Sequence, residues 1–245
     1  MKPEERIIIA LDGFKDLDEA KVAIKGIGVP GITVKMNDLL DKHGEEAVKV
    51  FKDLGYKVFA DRKVLDITDT ARRITGRYRD ARADFLTVHA SGYDEMMKEC
   101  VESAGEDMKI LAVTVLTSLD HTASMHVFGK TSENAVLNFA FSAYMSGAHG
   151  VITSPQELEA LRGYRKESNG CVPELLVVPG VRPKWAEKND QKRVATPAEA
   201  IRDGADYLVI GRPILKPPPE IGSPRKAFWR IVEEIANVTH VEKHP

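Results

Sequence analysis

The chain has 245 residues, enough for one large core, and its 35 basic and 37 acidic side chains leave a formal net charge of -2 with a pI near 6.4. Charges this balanced and interspersed argue against a nucleic-acid or membrane surface and make small-molecule chemistry the default. Cys100 and Cys171 are the only cysteines, too few for a disulfide framework and without zinc-site spacing, so a reducing cytoplasm is the expected compartment.

Short apolar runs rich in Val and Ile recur along the chain, each followed by a segment of helical composition. The first, RIIIALD at 6–12, follows a charged start and is too short for a secretory signal; no run approaches a membrane span. Then come ITVKM at 32–36, KVFADRK at 57–63, DFLTVHA at 84–90, KILAVTVL at 109–116, GVITS at 150–154, LLVVPG at 175–180 and YLVIGRP at 207–213. Continuous apolar runs suit strands covered on both faces, and their alternation with helices implies parallel βαβ units. Eight units in a chain of this length predict an α/β fold of the (β/α)8 TIM-barrel type, one domain over residues 1–245.

Capping chemistry marks several junctions. Ser154-Pro155-Gln156-Glu157 and Thr196-Pro197-Ala198-Glu199 each offer a hydroxyl N-cap, a proline at the first helical position and a glutamate at the third. Gly55 and Gly204 follow helical segments as C-terminal stops. Pro217, Pro218 and Pro219 make a stiff piece before a last helix near residues 223–237, with Pro224 in its first turn.

In such a barrel, catalysis sits at the C-terminal ends of the strands. The polar residues there are Asp12, Lys35, Asp61, Lys63 and Asp66, His89, Thr117 and Ser118, and Gly211 with Arg212. In an extended segment Asp61 and Lys63 share a face, and Asp66 follows three residues later. Two carboxylates thus crowd one ammonium, an arrangement costly to bury unless function retains it. Arg212 beside a glycine after the eighth strand suits a bidentate contact to phosphate, so a phosphorylated substrate is expected. A lone charge at a strand end is usually a solvated loop residue; the Asp-x-Lys-x-x-Asp spacing is far rarer than its members. His89 is expected to pack within the barrel rather than act as a base, and Ser118, with no nearby histidine, to hydrogen-bond a substrate rather than attack it.

The motifs resemble those of the orotidine 5'-phosphate decarboxylases over nearly the whole chain: ALD at 10–12, VK at 34–35, DRKVLDITDT at 61–70, TVHASG at 87–92, TVLTS at 114–118, PGVRP at 179–183 and DQKRVATPAEAIRDGADYLVIGRPI at 190–214. The resemblance implies decarboxylation of orotidine 5'-monophosphate to uridine 5'-monophosphate, the last step of pyrimidine nucleotide synthesis, without metal or organic cofactor. It puts Lys35, Asp61, Lys63 and Asp66 on a catalytic array of alternating charge, with Lys63 stabilising the carbanion and donating the proton. It implies a homodimer in which Asp66, Ile67 and Thr70 reach the partner's site. Asp12 falls where ribose hydroxyls bind, Ser118 where the pyrimidine is hydrogen-bonded, and Gln191, Gly211 and Arg212 at the phosphate. Residues 182–193 resemble a loop that closes over the nucleotide. Asn37 stands where the resemblance leads one to expect Gly, Tyr93 where a second Gly often follows, and Met36 is also atypical. Two other readings compete. Mg2+-dependent decarboxylases and synthases acting on 3-keto-L-gulonate 6-phosphate or hexulose phosphate share the barrel but place an acid where this chain has Lys35. A silent barrel that only binds nucleotide would have no reason to keep all four charges.

Overall fold

The computed structural model describes residues 1–186 and 195–241, with side chains up to residue 238. Eight parallel strands close into a barrel in sequence order: β1 (Ile7–Ala10), β2 (Thr33–Met36), β3 (Lys57–Val64), β4 (Phe85–His89), β5 (Lys109–Val113), β6 (Gly150–Ile152), β7 (Leu175–Pro179) and β8 (Tyr207–Ile210). Closure is the pairing of β1 with β8, where Ile9 lies opposite Ile210. All eight expected strands are present. Most end a few residues before their apolar runs do, because the runs follow burial rather than hydrogen bonding: Leu11 and Val115 lie past the ladder and are still buried.

Alternation divides the strand residues between two cores. Ile7, Ile9, Val34 and Val58 face outward, into the layer of helices. Ile8, Ala10, Phe59, Phe85, Leu111, Val177 and Val209 fill the barrel. Inside, Phe59 meets Phe85 edge-on with ring centroids 6.1 Å apart, and Phe85 meets Tyr207 at 5.7 Å. Burial of one such ring stabilises the fold by about 1.5–3 kcal/mol. These rings make an apolar floor under the C-terminal rim.

The covering helices are Leu17–Ile27, Asp38–His43, Glu45–Asp53, Thr68–Asp80, Tyr93–Ala104, His121–Phe128, Ser132–Met145, Leu158–Glu167, Pro197–Arg202, Arg212–Leu215 and Pro224–Val241. Thr196 forms the expected capping box: its hydroxyl accepts from the Glu199 N–H at 3.2 Å, and the Glu199 carboxylate accepts from the Thr196 N–H at 2.8 Å. Ser154 does otherwise. Its hydroxyl accepts from Gln156 N–H and meets the Glu157 carboxylate directly, because residues 155–157 form a tighter 3-10 turn and the α-helix starts only at Leu158. Gly55 and Gly204 take positive φ just past their helices, as the sequence predicts. No helix among the described residues is long and apolar enough to cross a membrane.

Candidate active site

A cavity of about 560 Å3 opens at the C-terminal end of the barrel, above the aromatic floor, within the usual range for small-molecule sites. Phe59 forms part of its base, and Asp61, two residues on, points to the same side. Asp12, Lys35, Asp61 and Lys63 come together there with Thr117, Arg182, Gly211 and Arg212. Val113, Val115, Ile152 and Val209 supply apolar wall, which keeps the local dielectric low and strengthens the charge contacts.

The four charges form a chain of alternating sign. Lys35 Nζ donates to both Asp12 carboxylate oxygens, at 3.0 and 2.9 Å, and to Asp61 Oδ2 at 3.1 Å. Lys63 Nζ donates to the same Asp61 oxygen at 2.8 Å. Lys35 thereby uses all three of its donors within the protein. Lys63 is spent differently: its side chain is 37% exposed, against 9% for Lys35, so its ammonium is the one presented to the cavity.

Burial acts against both charges of the central pair, and the neighbours reverse it. For Lys35, desolvation would lower the pKa, but the Asp61 and Asp12 carboxylates hold it above the ordinary 10.5. For Asp61, desolvation would raise it, but the Lys35 and Lys63 ammoniums hold it below 3.8. Both stay ionised around neutral pH. His89, half-buried at the end of β4 and outside the cavity lining, has its pKa lowered, by burial first and by the Lys63 charge second. It is a neutral packing residue at pH 7, as the sequence leads one to expect.

The structure corrects one expectation. Asp66 does not crowd Lys63 within the chain; the second carboxylate of the array is Asp12, and the ammoniums flank Asp61. After Val64 the chain leaves the barrel. Asp66 is exposed and accepts from the Ile67 N–H at 2.7 Å, Ile67 is 74% exposed, and Thr70 is on the outer helix Thr68–Asp80. The hydroxyl that lines the cavity after β5 belongs to Thr117, while Ser118 is exposed and outside the lining. Gln191 and most of the expected closing loop lie outside the described residues. At the stem of that loop, Arg182 donates its N–H to Ala195 C=O at 2.9 Å.

Arg182 is buried and lines the cavity together with Arg212, one following β7 and the other following β8, which adjoins β1 in the closed barrel. Sequence reasoning met Arg182 only as a loop boundary. Gly211 packs closely on the end of β1: a Cβ there would stand 3.2 Å from Ala10 C=O and 3.3 Å from Ala10 Cβ, so a larger residue would need Ala10 to give by a few tenths of an ångström.

Two of the three atypical positions adopt distinct backbone conformations. Asn37 is not left-handed; its φ is -123°, and its side-chain amide donates to Asp61 C=O at 2.7 Å. Tyr93 keeps the glycine-like backbone, at φ +69°. Lys63 itself has φ +48°, a conformation that costs a non-glycine residue about 1–3 kcal/mol and collects at functional sites. A further contact escaped the sequence: the buried Thr87 hydroxyl lies 3.0 Å from Asp61 Oδ1 and 2.8 Å from Lys63 N.

Residues 5–225 match the model of the orotidine 5'-phosphate decarboxylase / HUMPS family. The chain belongs to this family. Among its relatives is an orotidine 5'-phosphate decarboxylase of Anaeromyxobacter sp. (strain K), 43% identical over 221 residues, which cover 89% of this chain and 94% of the relative. One from Syntrophomonas wolfei is 36% identical over 249 residues, covering 96% and 99%. Among solved structures, orotidine 5'-phosphate decarboxylase from Lactobacillus acidophilus superposes with a TM-score of 0.77 at 30% identity, covering 94% of this chain and 99% of that one. The family thus accounts for the barrel.

Proposed function

We propose that the protein decarboxylates orotidine 5'-monophosphate to uridine 5'-monophosphate in pyrimidine nucleotide synthesis. The observation that carries this reading is the charged array Asp12–Lys35–Asp61–Lys63, buried at Lys35 and Asp61, in a cavity that Arg182 and Arg212 also line. Such a site takes a substrate with an anionic phosphate at one end and a developing negative charge at the other.

Heterolysis of the C6–carboxylate bond releases CO2 and leaves the electron pair on C6 of the pyrimidine, where no adjacent group can accept it. The Lys63 ammonium stabilises that charge, then transfers a proton to C6; the neutral amine regains its proton from solvent. Asp61 lies beside the departing carboxylate, and Lys35 holds Asp61 ionised. Asp12 offers its exposed edge to the ribose, Thr117 and the adjacent Ser118 the pyrimidine contact, and Gly211, Arg212 and Arg182 the phosphate, with Gln191 completing that contact. Phosphate binding is remote from C6, so its energy can order the site without touching the reacting bond.

The reaction needs no metal or organic cofactor. An ammonium, Lys35, occupies the point between Asp12 and Asp61 where a divalent cation would bridge two carboxylates, which disfavours the Mg2+-dependent sugar-phosphate chemistry found elsewhere among such barrels. The protein acts as a homodimer. Asp66, Ile67 and Thr70 point away from their own cavity and serve the partner's, and exposed Leu65, Ile67 and Tyr93 supply apolar area for the contact. The unpaired Cys100 and Cys171 fit a cytoplasmic enzyme, and residues 1–245 are read as one barrel domain.

The test is the fall in ultraviolet absorbance of orotidine 5'-monophosphate on incubation with purified protein, with and without EDTA. Conversion that EDTA leaves unchanged is expected. Conversion abolished by EDTA, or tight nucleotide binding without release of CO2, would overturn the reading.

A further inference from the structure

The ladder between β3 and β4 breaks where the charged array begins. Ala60 pairs with Leu86 and Val64 with Val88, so four residue steps on β3 run against two on β4. Asp61, Arg62 and Lys63 therefore share one opposite residue, Thr87. A strand bulged in this way leaves backbone groups without their ladder partners, and buried groups of that kind must be served by other means.

Two side chains serve them. Thr87, fully buried, stands 2.8 Å from the Lys63 amide nitrogen and 3.0 Å from Asp61 Oδ1. An N–H can only donate and an ionised carboxylate can only accept, so the hydroxyl accepts from Lys63 and donates to Asp61. From the other flank, at the end of β2, the Asn37 amide donates to Asp61 C=O at 2.7 Å. Asp61 is then held at three points: its carbonyl by Asn37, Oδ1 by Thr87, and Oδ2 by the two ammoniums. Lys63, in its left-handed conformation, is held at its backbone by Thr87 and at its ammonium by Asp61.

We propose that Thr87 and Asn37 are positioning residues, a clamp from β4 and β2 that keeps the bulged Asp61–Lys63 segment in its strained conformation and so aims the Lys63 ammonium into the cavity. The inference rests on the reading of Lys63 as proton donor. Thr87 stands outside the cavity lining, and Asn37, which lines it, has its amide committed to the Asp61 carbonyl; both act through the geometry of Asp61 and Lys63. Asn37 gives the clamp a feature of this chain's own, since the glycine expected at that position would leave the Asp61 carbonyl without its partner.

Thr87→Val keeps the side-chain shape and removes the hydroxyl, and Thr87→Ser returns the hydroxyl on a smaller side chain. With orotidine 5'-monophosphate as substrate, Thr87→Val should lower kcat roughly 10-fold to 100-fold, the scale set by small misplacements of a catalytic group. Its KM should stay within about 2-fold, because the phosphate contacts are remote and intact. Thr87→Ser should recover most of the loss, and Asn37→Gly should show a smaller fall in kcat, again at unchanged KM. Native kcat in Thr87→Val, equal losses in the Val and Ser variants, or a loss carried by KM would each overturn the clamp. Amide exchange at Lys63 gives a readout independent of turnover: it should quicken on the order of 10-fold or more in Thr87→Val and stay slow in Thr87→Ser. If the wild-type protein fails to release CO2, the functional reading falls, and the exchange result still decides the clamp; unchanged exchange in Thr87→Val sinks it.

Discussion

Asp61 and Asp66 stand five residues apart in one segment, with the same side chain, and they meet opposite fates. Asp61 is buried, takes hydrogen bonds from two ammoniums and a hydroxyl, and lines the cavity. Asp66 is exposed and makes a local contact to the next residue's N–H. The difference comes from where the barrel ends. Up to Val64 the chain is tied to β4, and beyond it the chain turns out to begin the helix Thr68–Asp80. An inward carboxylate must be paired to stay charged; an outward one is left available to whatever docks on that face. The Asp-x-Lys-x-x-Asp spacing is thus one motif in sequence and two surfaces in space.

Substitutions separate the roles of the two aspartates. The largest effect should come from Lys63→Ala, which removes the cavity's exposed ammonium: turnover of orotidine 5'-monophosphate should fall by on the order of 10³ or more, the scale of losing one preorganised charge-stabilising donor. Near-native turnover in the ultraviolet assay would remove Lys63 from the mechanism. Next, Asp61→Ala and Asp66→Ala should separate stability from activity. Asp61→Ala leaves Lys35 a buried cation with one partner fewer and should destabilise the fold by about 3 kcal/mol, read from urea unfolding. Asp66→Ala should change stability by no more than about 0.5 kcal/mol while still abolishing most turnover. Equal destabilisation by the two would contradict the division of the segment.

The pH dependence should show smaller effects. Asp61 has its folded pKa held below the ordinary 3.8 by the two lysines acting against burial, so its stabilisation is fully present above about pH 4 and is lost as pH falls through the lower folded value. Lys35, held above 10.5, contributes stability that is present below that value and lost as pH rises through its folded pKa. The array should therefore give a flat plateau between these limits, and Asp61→Asn should remove its share of the acid limb in thermal melts. His89 should give the smallest effect. Its folded pKa lies below 6.5, so the unfolded chain binds more protons there and stability should decline gently as pH falls below about 6.5. His89→Gln should remove that slope.

The barrel was legible because its strands are predominantly apolar on both faces, so that the polar residues toward their C-terminal ends stand out in the sequence. Lys35, Asp61, Lys63, Asp12 and Arg212 stood out as charges at the ends of apolar runs. What stayed hidden depends on register and on distance. Thr87 looks like an ordinary strand threonine; the signal was that it shares the inward face with Phe85, but only the bulge in β3 makes it the residue opposite Asp61 to Lys63. Asn37 was visible as an oddity, and its partner was not, because the Asp61 carbonyl is 24 residues away in sequence. Spacing alone brought Asp66 to Lys63, since it carries no information about where the strand stops. Arg182 belongs to the PGVRP motif, but nothing in the sequence separates a buried loop arginine from a solvated one.

The most direct test of the divided segment is to mix Lys63→Ala with Asp66→Ala protein. In a heterodimer of the proposed kind one site would inherit both substitutions, and the other would combine the native Lys63 of one chain with the native Asp66 of its partner. Random exchange into symmetric dimers makes half the population heterodimeric, so activity should return to about a quarter of the wild-type level from two inactive parents. Subunit exchange verified by co-purification of two tags, with no return of activity, would contradict the account.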